Sequence, residues 1–121
     1  MIETLKNFPE NIVAFHCGGH VTRRDYETIL IPHVEQTLAK HERIRLYYEI
    51  GTDFTGMDPG AMWADFKVGV EHLLRWERVA VITDIEWIRR TMSAFSFLVP
   101  GDVKLFTVSD ASKARDWITE S

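Results

Sequence analysis

Along this chain, short runs of β-branched and aromatic residues alternate with longer segments whose apolar residues recur at helical spacing. Met1 to Phe8 alternates and stops at Pro9, while Asn11 to Cys17 is more continuously apolar. The Pro9, Glu10 and Asn11 turn between them predicts an opening hairpin. Val21 and Thr22 then start a helix, with Thr22 as N-cap, Asp25 completing a capping box and Val21 stapled against Tyr26. Tyr26, Leu30, Val34 and Leu38 form its buried stripe, with Ile29 and Ile31 beside them. Pro32 falls inside this helix. A mid-helix proline removes a backbone bond and costs about 3 kcal/mol, so a kink is expected between Thr28 and Pro32.

The run Ile44 to Ile50 alternates, with Ile44, Leu46, Tyr48 and Ile50 on one face and Arg45, Tyr47 and Glu49 on the other. Parallel strands sandwiched by helices are apolar on both faces, so this alternation predicts a sheet face that the chain's own helices leave wet or open to a partner. Asp58 as N-cap and Pro59 at the first helical position open a helix expected to reach about Leu74, with Trp63, Phe66, Val70 and Leu73 or Leu74 facing the core. Arg78 to Asp84 is the next strand. Asp84 is expected to cap a helix with Ile85, Ile88, Met92 and Phe95 inward and Trp87 off that stripe. After the Pro100 and Gly101 turn, Val103 to Val108 makes the last strand. Ser109 or Asp110 then caps a helix burying Ala111, Ala114 and either Trp117 or Ile118. The order β-β-α-β-α-β-α-β-α predicts one α/β domain with a five-stranded mixed sheet, an antiparallel first edge strand and four main helices.

With 121 residues, the chain is long enough to bury one core without disulfides or a metal. Its 18 acidic and 14 basic side chains give a formal charge of -4, which argues against nucleic acid or an anionic membrane as partner. The single cysteine, Cys17, has no internal disulfide partner, and Met1 to Phe8 lacks the layout of a signal peptide, so a cytoplasmic location is expected. No apolar run has the length of a bilayer span, and integral membrane association is not expected.

Candidate chemistry is sparse. His16, Cys17 and His20 are of metal-ligand type, but along an extended strand the two histidines lie about 13 Å apart, too far for one ion. No metal or cofactor is therefore expected. Gly51 to Gly60 joins a strand to a helix, where α/β folds bind phosphates, yet it lacks the P-loop pattern, and Asp53 and Asp58 would repel an anion. Asp53, Asp58 and Asp65 do not assemble into an acid/base set: Asp58 reads as an N-cap and Asp65 as a solvated helix position. Arg89 and Arg90 read as a solvated helix face. The apolar residues around the loop, Phe54, Met57, Met62, Trp63 and the off-stripe Trp87, either pin it to the body or form a surface patch of the kind that marks binding sites.

The stretches GGHVTRRDYETILIPHVE, IRLYYEI followed by MDPGAMWADFK, WERVAVITDIEWIR and VKLFTVSDASKARDW together resemble bacterial SpoIIAA-like proteins, relatives of the STAS domains of anti-sigma-factor antagonists and sulfate transporters. The resemblance covers nearly the whole chain and implies a small sheet wound with helices in successive turns. Regulatory members carry a phosphorylatable serine at the start of the helix after the second parallel-type strand. Here the matching positions are Asp58, Pro59, Gly60 and Ala61, none with a hydroxyl, leaving Thr52 and Thr55 as the nearby substitutes. The resemblance therefore implies a non-enzymatic regulatory or protein-interaction domain acting through Asp53, Phe54, Met57, Asp58, Gly60, Ala61, Trp63 and Trp87. The fold's likeness to lipid-binding Sec14-type domains implies an alternative, a carrier or sensor of a small apolar ligand, with Phe54, Met57, Trp63, Trp87 and Phe95 lining a pocket. The uncovered strand face adds the expectation of a homodimer, with Tyr47, Phe54 or Met57 at or beside the interface.

Overall fold

The computed structural model describes residues 1–120. In chain order the strands are β1 (Ile2–Thr4), β2 (Ile12–Cys17), β3 (His20–Val21), β4 (Ile44–Ile50), β5 (Gly56–Met57), β6 (Trp76–Ile82) and β7 (Asp102–Phe106). The helices are α1 (Arg23–Asp25), α2 (Ile31–Lys40), α3 (Pro59–Glu71), α4 (Glu86–Phe95) and α5 (Ala111–Thr119). The main sheet has the order β1-β2-β4-β6-β7, with β1 antiparallel to β2 and the rest parallel. This is the α/β architecture expected from the sequence. A small parallel pair, β3 with β5, was not expected: two-residue strands are too short to leave a periodic signal.

The first helix begins as its sequence dictates. The Asp25 amide donates to Thr22 Oγ1 at 3.1 Å, and the Thr22 amide donates to Asp25 Oδ2 at 2.9 Å. Such a box stabilises a helix start by about 1 kcal/mol. The expected disturbance at Pro32 takes the form of a π-helical stretch, Tyr26–Leu30, running without a break from α1 into α2. Pro32 follows just after this stretch, where the altered hydrogen-bond register accommodates its missing amide within a continuous helix. Tyr26, Leu30, Val34 and Leu38 are all buried, as their spacing predicts.

Alternation along β2 feeds two cores. Val13, Phe15 and Cys17 join Tyr48, Val79 and Val81 beneath the helices of the first layer, whereas Ile12 and Ala14 join Tyr47, Ala80 and Ile82 beneath Ala114 and Ile118 of α5. The expectation of an uncovered face around Tyr47 is thereby corrected. The C-terminal helix closes it: Tyr47 is buried, with the Phe8 ring centroid 5.1 Å away. Arg45 and Arg78, from the same face, donate to the backbone carbonyls of Ile118 and Trp117, each at 2.9 Å, and both also reach the Glu120 carbonyl. These polar strand positions fasten a helix end rather than meet solvent, and Tyr47 has no free surface to offer a second chain.

Three further expectations change. On α3 the core-facing side is Ala61, Ala64 and Val68, with Leu73 packed against the core just beyond it. Trp63, Phe66, Val70 and Leu74 are instead exposed, at 63%, 50%, 44% and 76%. The helix is apolar around most of its circumference, and its small residues allow the closer approach: a Cβ on Gly60 would lie 3.0 Å from Arg23 Cδ. Asp84 does not cap α4, whose N-cap is Ile85. Its Oδ1 accepts from the Val108 amide at 3.0 Å, so it supports the 3-10 turn Val108–Asp110 ahead of α5. Arg89 is not a solvated residue. It donates to the carbonyls of Thr83 at 2.9 Å and Phe106 at 3.1 Å, tying together the ends of β6 and β7, whereas Arg90 is exposed and pairs with Glu86.

Candidate functional site

Because the exposed side of α3 carries its large residues, α3 and α4 stand apart over the sheet. Between them lies a groove of about 300 Å³. Its floor is Tyr48 and Ile50 of β4 and Val81 of β6. One wall is Met57 of β5 with Met62, Asp65 and Phe66 of α3, and the other is Trp87, Ile88, Thr91, Met92 and Phe95 of α4. Phe95 reaches across to α3, where a Cβ on Gly69 would lie 3.0 Å from its ring tip. A side chain there would push the ring back toward the groove.

At the floor, polar groups form a chain inside apolar surroundings. The Tyr26 hydroxyl donates to Asp65 Oδ1 at 2.8 Å, and the Tyr48 hydroxyl lies 2.5 Å from that of Tyr26. With the Tyr26 proton committed to the carboxylate, Tyr48 donates to Tyr26, and the buried Cys17 thiol lies beside the Tyr48 hydroxyl. Burial pushes the Cys17 thiol up to about 12 and holds both tyrosine hydroxyls well above their ordinary value. The thiol therefore stays protonated at neutral pH and is a poor nucleophile. Asp65 reaches solvent along the groove, but the protein atoms crowding its carboxyl push it above the ordinary carboxylate value, with the Tyr26 hydrogen bond pulling the other way. The helix position expected to be merely solvated thus holds the single charged side chain lining the groove.

Of the residues singled out in the sequence, Met57, Met62, Asp65, Trp87 and Phe95 line this groove. Phe54 packs against the core. Trp63 lies on the outer side of α3, stacked on Phe66 with centroids 6.0 Å apart. Asp58 occupies the N-cap position of α3 without a side-chain capping bond, its Oδ1 buried and unpartnered, while Gly60 and the buried Ala61 form the first turn. Asp53 lies elsewhere, over two glycines: a Cβ on Gly18 would sit 2.8 Å from its Oδ2 and one on Gly51 would sit 2.8 Å from its Oδ1. Asp53, Asp58 and Asp65 therefore do not converge. Sequence reasoning missed Tyr26, Tyr48 and Asp65 as a unit. The available signal was the polar hydroxyl on each of two otherwise apolar stripes, which demands a buried partner.

The histidine and cysteine cluster disperses. Cys17 joins the tyrosine chain, whereas His16 Nδ1 contacts Glu49 Oε1 at 2.7 Å on the α5 side of the sheet, where the Tyr47 hydroxyl donates to Glu49 Oε2 at 2.9 Å. His20 is exposed. No group of three His, Cys, Asp or Glu side chains with metal-binding geometry occurs among the described residues. No helix among them is long and apolar enough to cross a membrane.

No curated protein is significantly similar to this sequence. Among solved structures, one similar to it is an uncharacterized protein from the DUF3478 family with a SpoIIAA-like fold, from Shewanella loihica PV-4. It is 28% identical, with a TM-score of 0.73, and the alignment covers 98% of this chain and 92% of that one. The SpoIIAA-like family model matches residues 12–119, which takes in the sheet from β2 onward, the helices and the whole groove, and the chain accordingly belongs to the SpoIIAA-like family.

Proposed function

We propose that this STAS-type domain is a non-enzymatic carrier or sensor that holds a small, largely apolar ligand in the groove between α3 and α4. The observation that carries this reading is the groove itself: about 300 Å³, within the range of small-molecule sites, walled by methionine, isoleucine, valine and aromatic side chains, with its polar groups confined to Tyr48, Asp65 and Thr91. The floor chain from Cys17 to Asp65 supports binding over catalysis, since its hydroxyls and thiol are held protonated by burial. Thr91→Phe fills the groove from an exposed position on α4 and leaves the core untouched. Calorimetric titration with 1-octanol is expected to show saturable one-to-one binding to the wild type and at least tenfold weaker binding to the variant (about 1.4 kcal/mol). Equal binding by both proteins would place the ligand elsewhere and sink the reading.

A second reading, docking of a regulatory protein partner, is favoured by a separate observation. Trp63 and Phe66 stack on the open side of α3, and Trp87 on α4 is 47% exposed. Such aromatic surface is enriched at interfaces. The first turn of α3 has no hydroxyl side chain from Asp58 to Ala61, which supports a mode of regulation without serine phosphorylation at that point. Affinity capture that depends on Trp63, with the 1-octanol isotherm unchanged in Trp63→Ala, is the outcome that favours this reading.

A further inference from the structure

Asp65 has no counter-charge in its own chain. None of the residues lining the groove is basic, and no ion pair involves Asp65 among the described residues. Of the cations on the flanking helices, Arg23 pairs with Glu27, Lys67 with Glu71 and Arg90 with Glu86, and Arg89 is bound to the Thr83 and Phe106 carbonyls. Yet the carboxylate is not loose. Its Oδ1 is fixed by the Tyr26 hydroxyl, which is itself held by Tyr48, so the group is oriented by a chain anchored in the core. Phe66 and Trp87 stand on opposite walls of the same groove, so aromatic rings line the space that holds the carboxylate.

Asp65 is open to solvent on the groove side and carries a charge that nothing in the chain pairs, so a ligand that brings the opposite charge beside apolar walls gains an attraction there that neutral or anionic ligands do not. We propose that the groove selects amphiphiles with a cationic head, an ammonium on an apolar chain, the head against Asp65 and the chain along Ile50, Val81, Ile88 and Met92. This rests on the groove being the ligand site and adds the charge of the ligand. A carboxylate or phosphate head meets repulsion with no basic residue to offset it. A neutral head donates a single hydrogen bond to Asp65 and lacks the charge pairing that an ammonium adds.

The test is calorimetric titration at about pH 7 with three probes of one chain length: octylammonium, 1-octanol and octanoate. Octylammonium is expected to bind about tenfold more tightly than 1-octanol, with octanoate the weakest, since only the ammonium pairs an opposite charge with Asp65. Asp65→Asn is expected to bring the three affinities to within about threefold of one another. Met62→Lys, one turn earlier on the same wall, gives a second variant that is independent of whether Asp65→Asn folds. Its ammonium reaches the carboxylate, and it is expected to weaken octylammonium at least tenfold and 1-octanol far less. Octanoate binding as tightly as octylammonium, a cation preference that survives Asp65→Asn, or undiminished octylammonium binding in Met62→Lys each overturns the charge assignment. In those cases 1-octanol binding leaves the groove reading standing. Failure of all three probes to bind overturns both.

Discussion

The Tyr26 hydroxyl donates to Asp65 across 2.8 Å, joining the first long helix to α3 under a groove whose other surfaces are almost entirely apolar. Tyr26 is fully buried, so its hydroxyl has no water to fall back on. Tyr26→Phe keeps the ring, removes the hydrogen bond to Asp65 and strands the buried Tyr48 hydroxyl. The expected cost is about 2 kcal/mol, the penalty for leaving buried polar groups unsatisfied. Urea denaturation checks this, and the slope with denaturant should not change.

The two sides of α3 make a paired prediction. Val68→Ala removes a buried side chain and is expected to cost about 2 kcal/mol. Trp63→Ala removes a far larger side chain that is 63% exposed, and is expected to change stability by less than about 0.5 kcal/mol. Chemical denaturation of both variants, compared with the wild type, reads the orientation of the helix directly. The reverse ranking would mean that Trp63 points inward.

Tyr47 acts within the monomer. Tyr47→Ala opens a cavity beneath α5 and Phe8 and deprives Glu49 of a hydrogen bond, with an expected loss of about 3 kcal/mol. Sedimentation equilibrium is expected to give the same mass for folded wild type and variant. A change in association without a change in stability would contradict the burial.

Acid acts on the α5 anchorage through Glu77. The Arg45 guanidinium, donating from Nε to Glu77 Oε1 at 2.5 Å, holds the Glu77 carboxyl below its ordinary value of 4.5. A carboxyl held low in the folded chain contributes stability that is present above that value and is lost as the pH falls through the depressed one. Thermal melts between neutral pH and about pH 3 are therefore expected to show a shallower acid decline for Glu77→Gln than for the wild type. Equal declines would assign the acid sensitivity to other carboxylates, of which Asp25, held low by its capping box, is the other marked case.

The legible features of this chain were those carried by near neighbours. The Thr22 to Asp25 capping box spans three residues, the Tyr26 to Leu38 stripe repeats every fourth, and the strand runs and their order are periodic within themselves. Local backbone preference and hydrophobic period determine such elements wherever the rest of the chain goes. The sequence by itself therefore determined the class of fold, the number of sheet strands and the four helices, together with Trp87 as a residue turned away from its core.

The candidate site was decided at longer range. Asp65 reads as an ordinary polar helix position until Tyr26, 39 residues earlier, is brought beneath it. Arg45 reads as a solvated strand residue until the Ile118 carbonyl, 73 residues later, closes over it. On α3 the period offered no choice of face, because apolar residues surround the helix. Only the packing of Ala61, Ala64 and Val68 against the core turned Trp63 and Phe66 outward and left Met62, Asp65 and Phe66 to wall a groove. The physical reason is that burial of an apolar face is settled by which surfaces can approach closely. That depends on the shapes of two partners, and a single segment's pattern records only one of them.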